Sequence, residues 1–563
     1  MNNKYTFIKE HFKLPIEFEK NTTALNKDVK SDLGFNTNDT PYNILFNSYD
    51  SSFNQILIDK WQSNYSTSKQ FLKSKQKFIS LFNKLKHNEY NNDISVIDTF
   101  IDYKNNDSFK EKYEFVAWEH LEFMNKNPYI LQGLTYYNLF SPAINIVIPI
   151  IMLLSPFIII KFALKKNISF HLYKELLFKQ LKNHSLGKIF SLFSNDITVD
   201  KKIVASLGIA FYFFSLYQNS LTCIKFYKNA HEIQNYLFSI KTHINNSIDH
   251  INEFIDICGK ISYFNHYKNY LVERKNKLYI LVNEFEKIKN NSFSIKDIVG
   301  FGDVLLLFYK LRCDKEWGDI INFTFGLQCF RNNMCELSSH IRNQSIHKCS
   351  FKVSSKHNTI LKEQYYPYHM KYKNLVKNDT VLQNYVITGP NASGKTTILK
   401  TTLLNILFSQ QFGYGFYKKA NIIPYTAFHS YINIPDTSGR DSLFQAEARR
   451  CLEILKDVKQ TKGRTLIVFD EIYSGTNPYE ATKSAVAFLD VLKNEKVDFM
   501  LTTHFKELTE MKGVLNYHMD CSQNGDKIEY MYTFKKGVSN IKGGFTVLRD
   551  LEYPDEIINR LHR

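Results

Sequence analysis

The most chemically definite stretch of this sequence is the loop Gly389-Pro390-Asn391-Ala392-Ser393-Gly394-Lys395-Thr396-Thr397. It follows an apolar run, Tyr385-Val386-Ile387-Thr388, and precedes an amphipathic segment carrying Ile398, Leu399, Leu403, Leu404, Ile406 and Leu407. That order reads as strand, loop, helix. Glycines let the backbone curl so that successive N–H groups and the helix N-terminus face a polyphosphate. Lys395 then reaches the outer phosphate oxygens, and the Thr396 hydroxyl takes a position on a divalent cation.

A second constellation lies downstream. Thr465-Leu466-Ile467-Val468-Phe469-Asp470-Glu471 is a continuous apolar run ending in two acids, the pattern of a buried parallel strand with carboxylates at its C-terminal edge. Beside a phosphate loop, Asp470 holds the metal through water and Glu471 polarises an attacking water. A further run, Asp498-Phe499-Met500-Leu501-Thr502-Thr503, ends in His504. A lone histidine is more often structural than catalytic, but this one falls where its imidazole reaches a terminal phosphate.

The chain that must position these groups has 563 residues, 44% hydrophobic and 15% aromatic, enough for about three packed domains. Its net charge of +17 is divided as +10 over residues 1–350 and +7 over 351–563, so no single basic arm stands out. An even excess of this kind is weak evidence for a nucleic-acid partner. The eight cysteines (Cys223, Cys258, Cys313, Cys329, Cys335, Cys349, Cys451, Cys521) form no C-x-x-C pair and read as reduced thiols of a cytosolic or nuclear protein. Residues 1–20 are charged and show no apolar core of a signal peptide.

The pattern divides into four parts. Residues 1–120 read as a small, mainly helical region without catalytic spacing. Residues 121–224 are very apolar: no charged residue occurs from Asn127 to Ile160 or from Ile203 to Ile224, and Lys161, Lys165, Lys166, Lys201 and Lys202 flank the runs. Two readings stay open, a pair of buried core helices or a membrane-associated hairpin. Over residues 225–350, Ile233, Leu237, Ile240, Ile244, Ile248, Ile251 and Ile255 recur at spacings of three and four. They mark one stripe on a long helix ending near Gly259, a rigid lever. Leu278, Leu281, Phe285 and Ile288 continue the pattern on a second helix. Residues 351–563 carry the short strands and the chemistry.

At these positions the sequence resembles the MutS family of DNA mismatch-repair ATPases, relatives of the ABC-type ATPases. The loop Thr388-Gly389-Pro390-Asn391-Ala392-Ser393-Gly394-Lys395-Thr396-Thr397 reproduces that family's TGPN-x-x-GK-[ST]-T. Val376-Lys377-Asn378-Asp379, Ser438-Gly439-Arg440, Ser442-Leu443-Phe444-Gln445-Ala446-Glu447, Thr503-His504-Phe505-Lys506-Glu507-Leu508 and Gly543-Gly544 resemble further family elements. The family's adenine-stacking aromatic is missing near Leu375. Its glycine-preceded Phe-x-Glu wedge is absent too, since Phe109-Lys110-Glu111 matches only the bare triplet.

The resemblance implies an α/β P-loop NTPase domain of the ABC/MutS type, preceded by a mainly α-helical core and lever region. It also implies ATP with Mg²⁺ as the nucleotide and metal. Gly389 to Thr397 would bind the nucleotide, Thr396 and Asp470 the metal, and Lys395, Glu471 and His504 would act in hydrolysis. Ser442 and Glu447 would complete the site across a homodimer or family heterodimer. The expected function is an ATP-driven DNA clamp in mismatch repair or recombination, reading DNA shape in the cytoplasm or nucleus. The alternative is a membrane-associated ABC-like ATPase, not acting on DNA, whose ATPase domain faces the cytoplasm.

Overall fold

A computed structural model describes residues 5, 7–37, 39–46, 53–85, 94–163, 169–181, 199–288, 290–352, 358–372, 374–432, 442–524, 527–541, 553–554 and 557. The expected elements Ser438-Gly439-Arg440 and Gly543-Gly544, and the flanking residues Lys165 and Lys166, lie outside them. The chain falls into two compact units, one made of residues 1–90, 249–275 and 322–563, the other of 91–248 and 276–321.

The first unit holds an α/β domain. Its strands and helices in chain order are β1 (Tyr385–Thr388), α1 (Lys395–Phe412), β2 (Ala427–Tyr431), α2 (Leu443–Gln460), β3 (Thr465–Asp470), α3 (Pro478–Lys493), β4 (Val497–Thr502), β5 (Leu515–Asn524) and β6 (Lys527–Lys536). The sheet order is β6-β5-β1-β4-β3-β2, parallel except for the antiparallel β5–β6 hairpin. β1, β3 and β4 are buried almost throughout, as their unbroken apolar runs require. The register sets Asp470 opposite Thr502, and Thr502 opposite Ile387, so the ends of β3, β4 and β1 come together at one edge of the sheet.

Helix α2 begins with a capping box, in which the Ser442 hydroxyl accepts from the Gln445 backbone N–H and the Gln445 side chain accepts from that of Ser442. Its apolar face, Cys451, Ile454 and Val458, packs with Ile467, Phe469, Leu489 and Phe499 into one core. Helix α3 starts at Asn477, whose side chain caps the Glu480 N–H, with Pro478 at the first helical position.

A second, five-stranded sheet adjoins this domain within the same unit, in the order Asn378–Val381, Ile360–Gln364, Lys419–Ile422, His347–Phe351, Tyr414–Gly415. The N-terminal residues also pack here. The Tyr42 hydroxyl donates to Gln411 Oε1 at 2.5 Å, and Gln76 Nε2 donates to the carbonyls of Cys349 and Gly413. Trp61 stacks with Phe46 and Phe330.

The second unit is helical, with Ile94–Asn105, Pro128–Ile158, Phe170–Leu181 and Phe301–Cys313 among its helices. The 203–224 run and the 233–255 stripe belong to one helix, Val199–Gly259, of 61 residues. No proline interrupts it, and its one internal glycine, Gly208, meets nothing that would break it. Among the described residues no helix is long and apolar enough to cross a membrane. Thr135, Asn138 and Ser141 of Pro128–Ile158 are buried polar residues, and Val199–Gly259 runs on from its uncharged stretch into Lys225, Lys228 and Glu232. Many apolar side chains of these helices are nonetheless exposed, Phe211, Phe213, Phe214 and Ile203 each by more than half.

Candidate nucleotide site

The loop between β1 and α1 turns on three left-handed residues, Ala392 (φ 61°), Gly394 (φ 93°) and Gly389 (φ 152°). At Gly389 an added Cβ would lie 2.9 Å from Ser393 Oγ, so glycine is required for space as well as conformation. Beside the loop lies a cavity of about 610 Å³ whose lining includes Pro390, Asn391, Ala392, Gly394, Lys395, Thr396, Thr397 and Glu471. Ser393 turns inward, 1% exposed, and neither it nor Gly389 lines the cavity.

Lys395, 6% exposed, donates from Nζ to the Gly389 carbonyl at 2.9 Å. Its Nζ also stands 3.0 Å from His504 Nε2 and 3.7 Å from Glu471 Oε1. His504 Nε2 is in turn 3.0 Å from Glu471 Oε1. One imidazole nitrogen therefore serves two partners. Protonated it donates to Glu471, and unprotonated it accepts from Lys395. Burial holds the Lys395 ammonium below the ordinary lysine value, against the pull of Glu471 and Asp470. The hydrogen bond from His504 holds the Glu471 carboxyl below its ordinary value despite partial burial, and Lys395 adds to that effect.

Thr396 Oγ1 donates to Asp470 Oδ2 at 2.6 Å, while the Thr502 hydroxyl donates to the other oxygen of Asp470. A hydroxyl beside a carboxylate is a hard-oxygen pair suited to Mg²⁺, which keeps much of its water and takes few protein ligands. Among the described residues no group of three or more His, Cys, Asp or Glu side chains is placed to hold a metal ion.

Ser442 and Glu447, expected to act across a subunit boundary, do not line this chain's cavity. Ser442 is exposed at the head of α2. Glu447 is 2% exposed, and its carboxylate accepts from Ser474 N, Ser474 Oγ and Gly475 N at 2.9–3.1 Å. A side chain so enclosed is not open to a nucleotide.

The structure adds an aromatic wall that sequence reading missed. Tyr366, His369 and Tyr372 line the cavity, with ring centroids 5.5 Å apart at each step, and Tyr532 and Met519 line it from the β5–β6 hairpin. Asn378 ties that hairpin down, donating to the Tyr532 carbonyl and accepting from the Phe534 N–H. The clustered tyrosines at 365–372 were the available signal for one side of this wall. Tyr532 had none, because it arrives through strand pairing far along the chain.

These features define an α/β domain in which a glycine loop, a buried lysine and two carboxylates meet beside one cavity. Residues 385–563 match the family model MutS domain V. Two relatives, both named DNA mismatch repair protein MutS, align with the chain. That of Persephonella marina is 32% identical over 213 residues, covering 36% of this chain and 24% of the relative. That of Caldicellulosiruptor saccharolyticus is 30% identical over 202 residues, covering 34% and 23%. The chain thus spans about a quarter of the length of these relatives. Over this C-terminal segment the chain is similar to the MutS family.

Proposed function

We propose that this chain hydrolyses ATP at the 389–397 loop and uses the nucleotide to control its hold on DNA. The observation that carries the reading is the convergence of Lys395, the Thr396–Asp470 pair and the Glu471–His504 pair beside one cavity. With ATP bound, Lys395 exchanges its contact to the Gly389 carbonyl for a phosphate oxygen, and the loop N–H groups face the remaining phosphates. Thr396 and Asp470 would hold Mg²⁺, which neutralises charge on the phosphates. Glu471, kept ionised by His504 and Lys395, orients the attacking water and takes up its proton. The aromatic wall of Tyr366, His369, Tyr372 and Tyr532 offers ring faces to the adenine, doing the work of the aromatic missing at Leu375.

Ser442 is exposed on a capped helix N-terminus, a geometry suited to the nucleotide of a second subunit in a homodimer or family heterodimer. The DNA partner is supported by the names of the two relatives and by the basic balance. Contacts would fall mainly on phosphates, because no element has the spacing to read base edges. A cytoplasmic or nuclear setting follows from this partner.

The test is a titration of matched, mismatched and four-way-junction DNA at two salt concentrations, with and without ATP. The reading expects salt-sensitive binding, little preference for the mismatch, and a complex lifetime that changes with ATP. An absence of DNA binding in every condition would overturn it.

A further inference from the structure

Glu471 does not sit in relaxed backbone. Its φ is 55°, and Tyr473, two residues on, has φ 57°. Residues with a Cβ reach this left-handed region only when their surroundings hold them there. The loop after β3 is therefore set by what it touches, and most of that is helix α2.

Glu447, one turn into α2, accepts from Ser474 N at 3.0 Å and Ser474 Oγ at 2.9 Å through Oε1, and from Gly475 N at 3.1 Å through Oε2. A carboxylate this buried would be expected to meet a cation, yet among the described residues Glu447 makes no ion pair and both its oxygens serve the loop. Phe444 packs on the Tyr473 ring at 5.7 Å. A Cβ on Gly475 would stand 2.8 Å from Leu443 Cγ and 2.9 Å from the Phe444 N, so the loop lies directly against the first turn of α2. Tyr431 of β2 adds a contact by accepting from the Tyr473 N–H at 3.4 Å. On the other side, the Glu471 N–H donates to the Thr502 carbonyl at 3.1 Å.

We propose that Glu447 is a positioning residue for Glu471: by binding Ser474 and Gly475 it fastens the loop of the water-orienting acid to helix α2. Ser442, at the exposed head of that helix, and the Glu471 carboxylate then move as one body, so a contact made at Ser442 alters the placement of Glu471. Glu447 acts through backbone and touches no reactant. The inference rests on the reading of Glu471 as the acid that orients water.

The test compares wild type, Glu447→Gln and Ser474→Ala by steady-state ATP turnover and by amide hydrogen exchange without nucleotide. Glutamine keeps the shape and one acceptor but turns an NH₂ group toward the loop's N–H donors. The expected result for Glu447→Gln is a kcat lower by roughly tenfold with KM for ATP within about twofold. Exchange of the Ser474 and Gly475 amides should rise about tenfold or more, with β3 unchanged. Ser474→Ala, which keeps both backbone bonds, should lose only about two- to threefold in kcat, and it decides the matter if Glu447→Gln does not fold. Unchanged kcat and exchange in Glu447→Gln would overturn the proposal, as would exchange rising throughout the domain with KM and kcat lost together. If wild type does not hydrolyse ATP, the reading of Glu471 fails by itself. Exchange at Ser474 and Gly475 still decides whether the clamp exists, and no rise there overturns it.

Discussion

Lys75 sits where a lysine is expensive. On helix Lys69–Asn83 it is 2% exposed, and among the described residues its Nζ has no hydrogen-bond partner. The ammonium stands 4.3 Å from the centroid of the Trp61 ring and 5.2 Å from that of Phe412. Burial pushes it down from the ordinary 10.5 to about 7. A displacement of that size corresponds to about 4–5 kcal/mol of disfavoured charge near neutral pH. Attraction to the two ring faces returns about 1–2 kcal/mol.

Replacing Lys75 by methionine keeps the unbranched stem and removes the charge, so Lys75→Met should stabilise this unit by about 3 kcal/mol at pH 6–7. The folded value lies below the unfolded one. Between pH 7 and 10.5 the unfolded chain therefore holds a proton that the folded chain has lost, and wild-type stability climbs by at most about 1.4 kcal/mol per pH unit. Below pH 7 the penalty is complete, and in the variant the slope disappears. Urea unfolding from pH 6 to 9 measures this, followed by Trp61 fluorescence in a background where Trp118 and Trp317 are phenylalanine. A destabilised Lys75→Met protein, or one keeping the wild-type slope, would refute the reasoning by showing that the ammonium is solvated or paired.

Two further outcomes follow from buried and exposed groups. His429 on β2 is 4% exposed, and burial lowers it to about 4. Its folded value is below the unfolded one, so stability should fall by about 3 kcal/mol as pH drops from 6.5 to 4, and equilibrium unfolding of His429→Gln across that window should show the loss removed. In the second unit, the exposed Phe211 and Phe214 should bind anilinonaphthalene sulfonate in the native state. Phe211→Lys with Phe214→Lys should lower that fluorescence and leave ATP turnover unchanged.

How much of this was readable in the sequence depended on whether a function is set by backbone chemistry or by distant packing. The glycine loop was legible because a curled backbone demands glycine at set positions. Asp470, Glu471 and His504 were legible because strand ends face the site, and the register of β1, β4 and β3 brings them together. The aromatic wall was not legible, since Tyr532 reaches the cavity only through the β5–β6 hairpin. Glu447 was assigned to a nucleotide from its motif, and nothing in that spacing reveals that Ser474 and Gly475 enclose it. The uncharged runs were ambiguous for a different reason. Composition alone does not separate a packed helix from an exposed or inserted one, and only the fold shows Thr135, Asn138 and Ser141 buried while Phe211 and Phe213 are exposed.

In the proposed reaction one site binds ATP through Lys395 and hydrolyses it through Glu471, and these two steps separate by mutation. The direct measurement is binding of a fluorescent ATP analogue beside phosphate release for wild type, Glu471→Gln and Lys395→Ala. Glu471→Gln should bind ATP with near wild-type affinity and release phosphate slower by about 10²-fold or more, and Lys395→Ala should lose binding. Equal loss of ATP binding in both variants, or wild-type phosphate release from Glu471→Gln, would contradict the account.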